Sequence, residues 1–246
     1  MIAMNESNGF SPELISKEYP ILSETIYLDF AASPPVPPAT LLSFANDLTT
    51  TLYANPHSHS PASSITALHI HRIRQRVLHD LFGLKNPHDG KWDLIFTAGA
   101  TAALKLLAES FPWSISTRYR YLKESHTSLV GIRASALEKG ASVESIDTID
   151  HFLQCDAADT MLCGYPAQCN VTGSRIGLQL ARELKRRTKN NTTAVVVDAA
   201  AYLSTSVLDL GSIPYDEAPD FVACSFYKIY VRLFNHPSKY ITPSLP

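Results

Sequence analysis

The sequence predicts an α/β domain with a mostly parallel sheet flanked by helices. Short apolar runs, such as Ala194-Val195-Val196-Val197 and Phe221-Val222-Ala223-Cys224, alternate with segments of helical periodicity. Polar residues gather where the runs end: Asp198 closes one, and Ser225-Phe226-Tyr227-Lys228 follows another. Ligands of such sheets collect beyond the carboxyl ends of the strands, so this polar edge is the place to look for function.

The elements follow in order. Residues 1–11 are polar and lack the basic, apolar and cleavage regions of a signal peptide. They read as a disordered leader, and residues 1–20 are set outside the domain. Residues 39–53 read as a helix with Leu41, Leu42, Phe44, Ala45 and Leu48 on its apolar side. Residues 62–83 read as a longer helix, with Ile65, Leu68, Ile73, Val77, Leu78 and Leu81 at helical spacing and Gly83 as its stop. Asp93-Leu94-Ile95-Phe96 is a predicted strand, and a helix runs from Ala102 to Ser110. Tyr119-Arg120-Tyr121-Leu122 is a strand, residues 127–138 a helix capped by Gly140, and 141–146 and 161–165 are strands. Residues 175–188 are a basic amphipathic helix whose Lys185, Arg186, Arg187 and Lys189 read as a solvated face. Residues 194–198 and 220–225 complete the strands.

A chain of 246 residues with 45% hydrophobic content can bury a sizeable core. A net charge of −2 implies no global attraction to nucleic acid or to an anionic membrane. No apolar run approaches the length of a membrane span, and a cytoplasmic protein is expected. The cysteines at 155, 163, 169 and 224 form no Cys-x-x-Cys pair. Cys163 and Cys224 read as small buried hydrophobes, Cys155 and Cys169 as more exposed. His57 and His59, like His69 and His71, stand two residues apart and do not face one direction on a helix, so no metal site is expected.

The motifs at the polar edge each have a plain alternative. Thr97-Ala98-Gly99-Ala100-Thr101-Ala102 lies between a strand and a helix and could cradle a phosphate on backbone N–H groups, though such turns are common connections. His126 follows the next strand and could stack on a planar cofactor and move protons, or be a surface loop histidine. Gln168 and Asn170 could hydrogen-bond a phenolic oxygen, or serve the turn with Gly173. Asp198 ends an apolar strand, and a buried carboxylate there needs a partner such as a protonated ring nitrogen. Ser225 could donate to a phosphate. Lys228 could carry pyridoxal phosphate as a Schiff base, or be a solvated charge after a strand.

Together these residues resemble the fold-type-I pyridoxal phosphate enzymes of the class V aminotransferase and cysteine desulfurase group, more narrowly the N-terminal domain of the molybdenum cofactor sulfurases. The resemblance rests on Tyr27-Leu28-Asp29-Phe30-Ala31-Ala32, Ala54-Asn55-Pro56-His57-Ser58, Phe96 to Leu104, Ser125 to Gly131, Tyr165 to Asn170, Asp198 to Ala201 and Ser225 to Lys228. It implies a fold-type-I large domain over residues 21–230. It implies Lys228 as the cofactor's covalent anchor and Asp198 at the pyridine nitrogen. His126 would stack on the ring and Asn170 approach the phenolic oxygen, with Ala100, Thr101 and Ser225 at the phosphate. It implies L-cysteine as substrate, the molybdenum cofactor as sulfur acceptor, and leaves a homodimer open. Ala201 and Tyr227 stand where ordinary cysteine desulfurases usually carry glutamine and histidine, which argues against another class V member. The resemblance stops after Tyr230, and residues 231–246 read as an unrelated tail. Family members continue with a glycine-rich segment, the rest of the large domain, the persulfide cysteine and the arginine for the substrate carboxylate. Family membership without complete turnover is therefore expected, as is an exposed apolar sheet edge. A non-catalytic interaction fragment is the competing reading.

Overall fold

In the computed structural model, residues 12–22, 24–29, 31–86, 89–154, 160–188 and 193–229 are described. The chain divides into two compact units, residues 1–72 with 226–246, and residues 73–225.

The first unit holds α1 (Pro12–Glu18), α2 (Pro38–Thr50) and most of α3 (Pro61–Arg76). Pro12–Glu18 is helical although it falls within the stretch expected as a leader. Pro38 begins α2 because the first helical position needs no N–H partner. The apolar side chains of α2 repeat at helical spacing as expected, yet none of its residues is buried. Ile65, Leu68 and Ile73 of α3 are likewise exposed. The following π-helical turn, Val77–Leu81, buries Val77, Leu78 and Leu81, and Gly83 stops it with φ 66°.

The second unit is built on five parallel strands: β1 (Thr117–Leu122), β2 (Ser142–Ile146), β3 (Thr160–Pro166), β4 (Thr193–Asp198) and β5 (Phe221–Ala223), in the order β2-β1-β3-β4-β5. Strand alternation divides the side chains between two helical layers. Tyr119, Tyr121, Leu162, Val196 and Ala223 form one core with Ala100, Leu104 and Ala108 of α4 (Ala100–Ser110), Leu129 of α5 (Thr127–Val130), and Ile132 and Ala136 of α6 (Ile132–Glu138). Gly140 ends this stretch with φ 79°, as predicted, but the expected single helix 127–138 is broken at Gly131.

Residues of opposite parity meet α7 (Ile149–Phe152) and α8 (Gln179–Arg187). Arg120 is buried here within β1. Its guanidinium donates to Glu144 Oε2 at 2.8 Å and to the carbonyls of Phe152 and His151 at 3.1 and 3.0 Å, which fastens α7 to the sheet. α8 begins at Gln179, four residues later than expected. Arg175 bridges back to Gln168, and Ile176 N–H donates to Ala167 O at 2.9 Å, so the preceding residues are held extended. The basic side of α8 is not merely solvated. Lys185 donates to Asp220 Oδ1 at 2.7 Å, Arg186 and Arg182 both bind Glu217, and Arg187 pairs with Glu183. Lys189 lies outside the described residues, as do Cys155 and the expected tail 231–246.

The predicted strand Asp93-Leu94-Ile95-Phe96 joins no ladder among the described residues, and Ile95 and Phe96 are exposed. Its apolar run gives it the composition of a strand, but a strand exists only beside a neighbour that takes its backbone groups. β5 is shorter than expected, and its ladder runs to β4.

Candidate functional site

Because the strands are parallel, their carboxyl ends share one edge, and the strand order reverses between β1 and β3. Open α/β sheets bind ligands at such a reversal.

Asp198 is the last residue of β4, in register with Pro166 of β3 and Ala223 of β5. It shares its face with Ala194 and Val196, on the side of α4 and α5. It is 5% exposed, and its Oδ1 accepts the Ala200 N–H at 3.0 Å. Its charge is felt locally. Burial first, and Asp198 second, push the Cys224 thiol up to about 11. Burial chiefly, with lesser contributions from Tyr121, Cys163 and Asp198, raises the Tyr119 hydroxyl well above its usual range.

Ser225 follows β5 and is 2% exposed. Its Oγ accepts the N–H of Ala100 at 3.0 Å across 125 residues of chain. Ala100 opens α4, whose N-cap is Gly99 at φ 145°, a conformation that favours glycine. The N-cap glycine has no side chain to cap this end of α4, and Ser225 takes the Ala100 N–H in its place. A helix start of this kind, with small residues and a positive dipole end, suits an anion.

Thr101 Oγ1 lies 2.7 Å from Ser128 Oγ, and Ser128 Oγ lies 3.0 Å from His126 Nδ1. His126 caps α5, its Nδ1 accepting the Ser128 N–H at 3.2 Å. The second unit thus joins Ala100 to Ser225 directly and Thr101 to His126 through Ser128, with Asp198 at a neighbouring strand end. Asn170 is exposed in the turn after β3. Lys228 ends the 3-10 turn Phe226–Lys228, three residues along the chain from Ser225, and belongs to the first unit.

Ser128 is a residue that sequence reading misses. Its one signal is its place two residues after His126, just inside the expected helix, where its N–H is within reach of the histidine side chain. Cys169, expected exposed, is buried. The turn folds over it, its carbonyl accepting the Gly173 N–H at 3.0 Å and its Sγ the Thr172 N–H at 3.4 Å. Hydrogen bonding from Thr172 holds its thiol below the usual range. Cys224, expected buried, is only partly so, whereas Cys163 is buried as expected. Among the described residues no group of His, Cys, Asp and Glu could hold a metal ion, and no helix is long and apolar enough to cross a membrane.

The residues suit one kind of ligand. A buried carboxylate at a strand end favours a cationic nitrogen, the α4 terminus with Ser225 favours an anionic group, and His126 is tied to that terminus through Ser128.

The family model described as aminotransferase class-V matches residues 26–231. The chain is similar to the molybdenum cofactor sulfurase of Neurospora crassa, 38% identical over 245 residues, covering 92% of this chain and 25% of that protein. It spans about a quarter of the length of the curated relatives it matches. Its fold is that of the apo cysteine desulfurase of Thermococcus onnurineus NA1 (TM-score 0.68, 20% identity, 93% of this chain and 55% of that one). It is also that of a C-DES variant with glycine covalently linked to its PLP cofactor (TM-score 0.66, 16% identity, 87% and 56%).

Proposed function

This chain belongs to the class V aminotransferase family, and from that premise we propose that it is the pyridoxal-phosphate-binding, cysteine-desulfurase-like domain of a molybdenum cofactor sulfurase. L-cysteine is the proposed substrate, the molybdenum cofactor the sulfur acceptor, a homodimer the assembly and the cytoplasm the location. The observation that carries the reading is the Ala100 N–H bond to the buried Ser225 Oγ on the face that also holds buried Asp198. It supports an anion site and a cation site at one sheet edge.

The residues divide the work. The backbone N–H groups of Ala100 and Thr101, with the Ser225 hydroxyl, bind phosphate. Asp198 holds a proton on the pyridine nitrogen by charge pairing. His126 lies over the ring and orients it, and Asn170 binds the phenolic oxygen. Lys228 supplies the amine that anchors the cofactor covalently. Bound pyridoxal phosphate supplies an electron sink for the pair left when a substrate Cα–H bond breaks.

The test is a pyridoxal phosphate titration of wild type and Lys228→Ala, read by visible absorbance and by borohydride trapping with peptide mapping. The reading expects a reducible adduct on Lys228 that the variant lacks. Soluble, folded protein without an adduct would overturn it. A second reading, an interaction module without turnover, is favoured by the exposed apolar side of α2. An adduct on Lys228 with no sulfur released from cysteine would establish that reading instead.

A further inference from the structure

We infer that Ser128 is a positioning residue that fixes which nitrogen of His126 carries the proton and ties that choice to Thr101 at the start of α4. The inference deepens the proposed function, since it concerns a residue of that same site.

A backbone N–H can only donate. The Ser128 N–H, 3.2 Å from His126 Nδ1, therefore favours a lone pair on that nitrogen, and at this length it needs the hydroxyl beside it to fix the choice. In the neutral imidazole the proton then sits on Nε2. The Ser128 hydroxyl reaches the same Nδ1 at 3.0 Å, and as a donor it favours the same form. Its oxygen is left to accept from Thr101 Oγ1, 2.7 Å away. One direction of donation satisfies the whole chain: Thr101 hydroxyl to Ser128 hydroxyl to His126 Nδ1. The opposite tautomer would place an N–H against the Ser128 N–H and reverse both hydroxyls.

Two consequences follow. The ring presents an N–H, not a lone pair, at Nε2, so the edge of neutral His126 acts there as a hydrogen-bond donor while its face stays free for a planar ligand. An anion at the start of α4 competes for the Thr101 hydroxyl, and Ser128 carries that competition to the ring.

The test needs no cofactor. In the full 15N-labelled chain at a pH where His126 is neutral, long-range 1H–15N correlation spectra report the imidazole tautomer. Wild type is expected to show two well-separated imidazole 15N shifts for His126, with Nε2 protonated. Ser128→Ala keeps the backbone donor and loses the hydroxyl, so the separation should shrink towards the free-histidine mixture. Ser128→Thr should restore it. Thr101→Val should produce a smaller shrinkage, and inorganic phosphate should move the wild-type signals but not those of Ser128→Ala. A wild-type His126 with the free-histidine mixture, or a Ser128→Ala spectrum like wild type, would overturn the inference. Either result leaves the Lys228 adduct experiment unaffected, so the two readings fail separately.

Discussion

α4 buries Leu104 to 1% exposure and Ala108 almost as far, whereas α2 buries nothing and leaves Leu42 72% exposed. Both helices carry an apolar stripe at helical spacing. α4 runs beside the sheet, where Tyr119, Leu162 and Val196 present a face to cover. Periodicity states that a helix has an apolar side. It does not state that a surface exists to receive it, and that depends on strands elsewhere in the chain.

The largest break in this contrast comes from a charged residue. Arg120 is more deeply enclosed than any residue of α2. Arg120→Ala takes the arginine from Glu144, leaving it His151 at 3.4 Å, and removes a guanidinium donor from two backbone carbonyls. It is expected to cost about 3–5 kcal/mol, read by urea unfolding. Retention of wild-type stability would mean that α7 is not fastened through this guanidinium. Next, Leu104→Ala should cost about 2–5 kcal/mol by cavity formation, and Leu42→Ala about 0.5 kcal/mol or less. Equal losses would show that α2 is covered in solution and erase the comparison.

The smallest effect concerns α8, which is tied by surface ion pairs in addition to its buried apolar side. Arg186 first, and then Arg182, hold the Glu217 carboxyl below its usual value of 4.5. A depressed carboxyl contributes stability that is complete above the unfolded value and is lost as pH falls through the folded one. Stability should therefore decline from about pH 4.5 downward. Glu217→Gln should flatten that limb in acid-unfolding curves followed by circular dichroism. An unchanged limb would assign acid sensitivity to other carboxylates.

Much of the fold is legible in local sequence because buried parallel strands are apolar runs and their ends are polar. Asp198 and Ser225 were readable in that way, as an acid and a hydroxyl closing such runs. The start of α4 was readable from its small residues. What could not be read depends on partners far along the chain. Nothing near Arg120 in the chain shows that it is buried, because the carbonyls that take its guanidinium come from α7 some thirty residues away. Lys185 looks solvated until Asp220 arrives from the approach to β5. Asp93-Leu94-Ile95-Phe96 has a strand's composition and no neighbour among the described residues. Ser128 has an unremarkable identity, and its significance lies in two hydroxyl distances.

The order β2-β1-β3-β4-β5 also bears on how the protein is made. β3 is laid on the open edge of β1, and β4 and β5 each against the strand synthesised before it, with no later strand inserted between earlier neighbours. A nascent chain leaving the ribosome thus always finds a finished edge on which to template its next strand. Asp198 is set in register before β5 is synthesised, and Ser225 reaches Ala100 only afterwards. The corner where Ser225 meets Ala100 is accordingly among the last parts of the second unit whose residues are all synthesised.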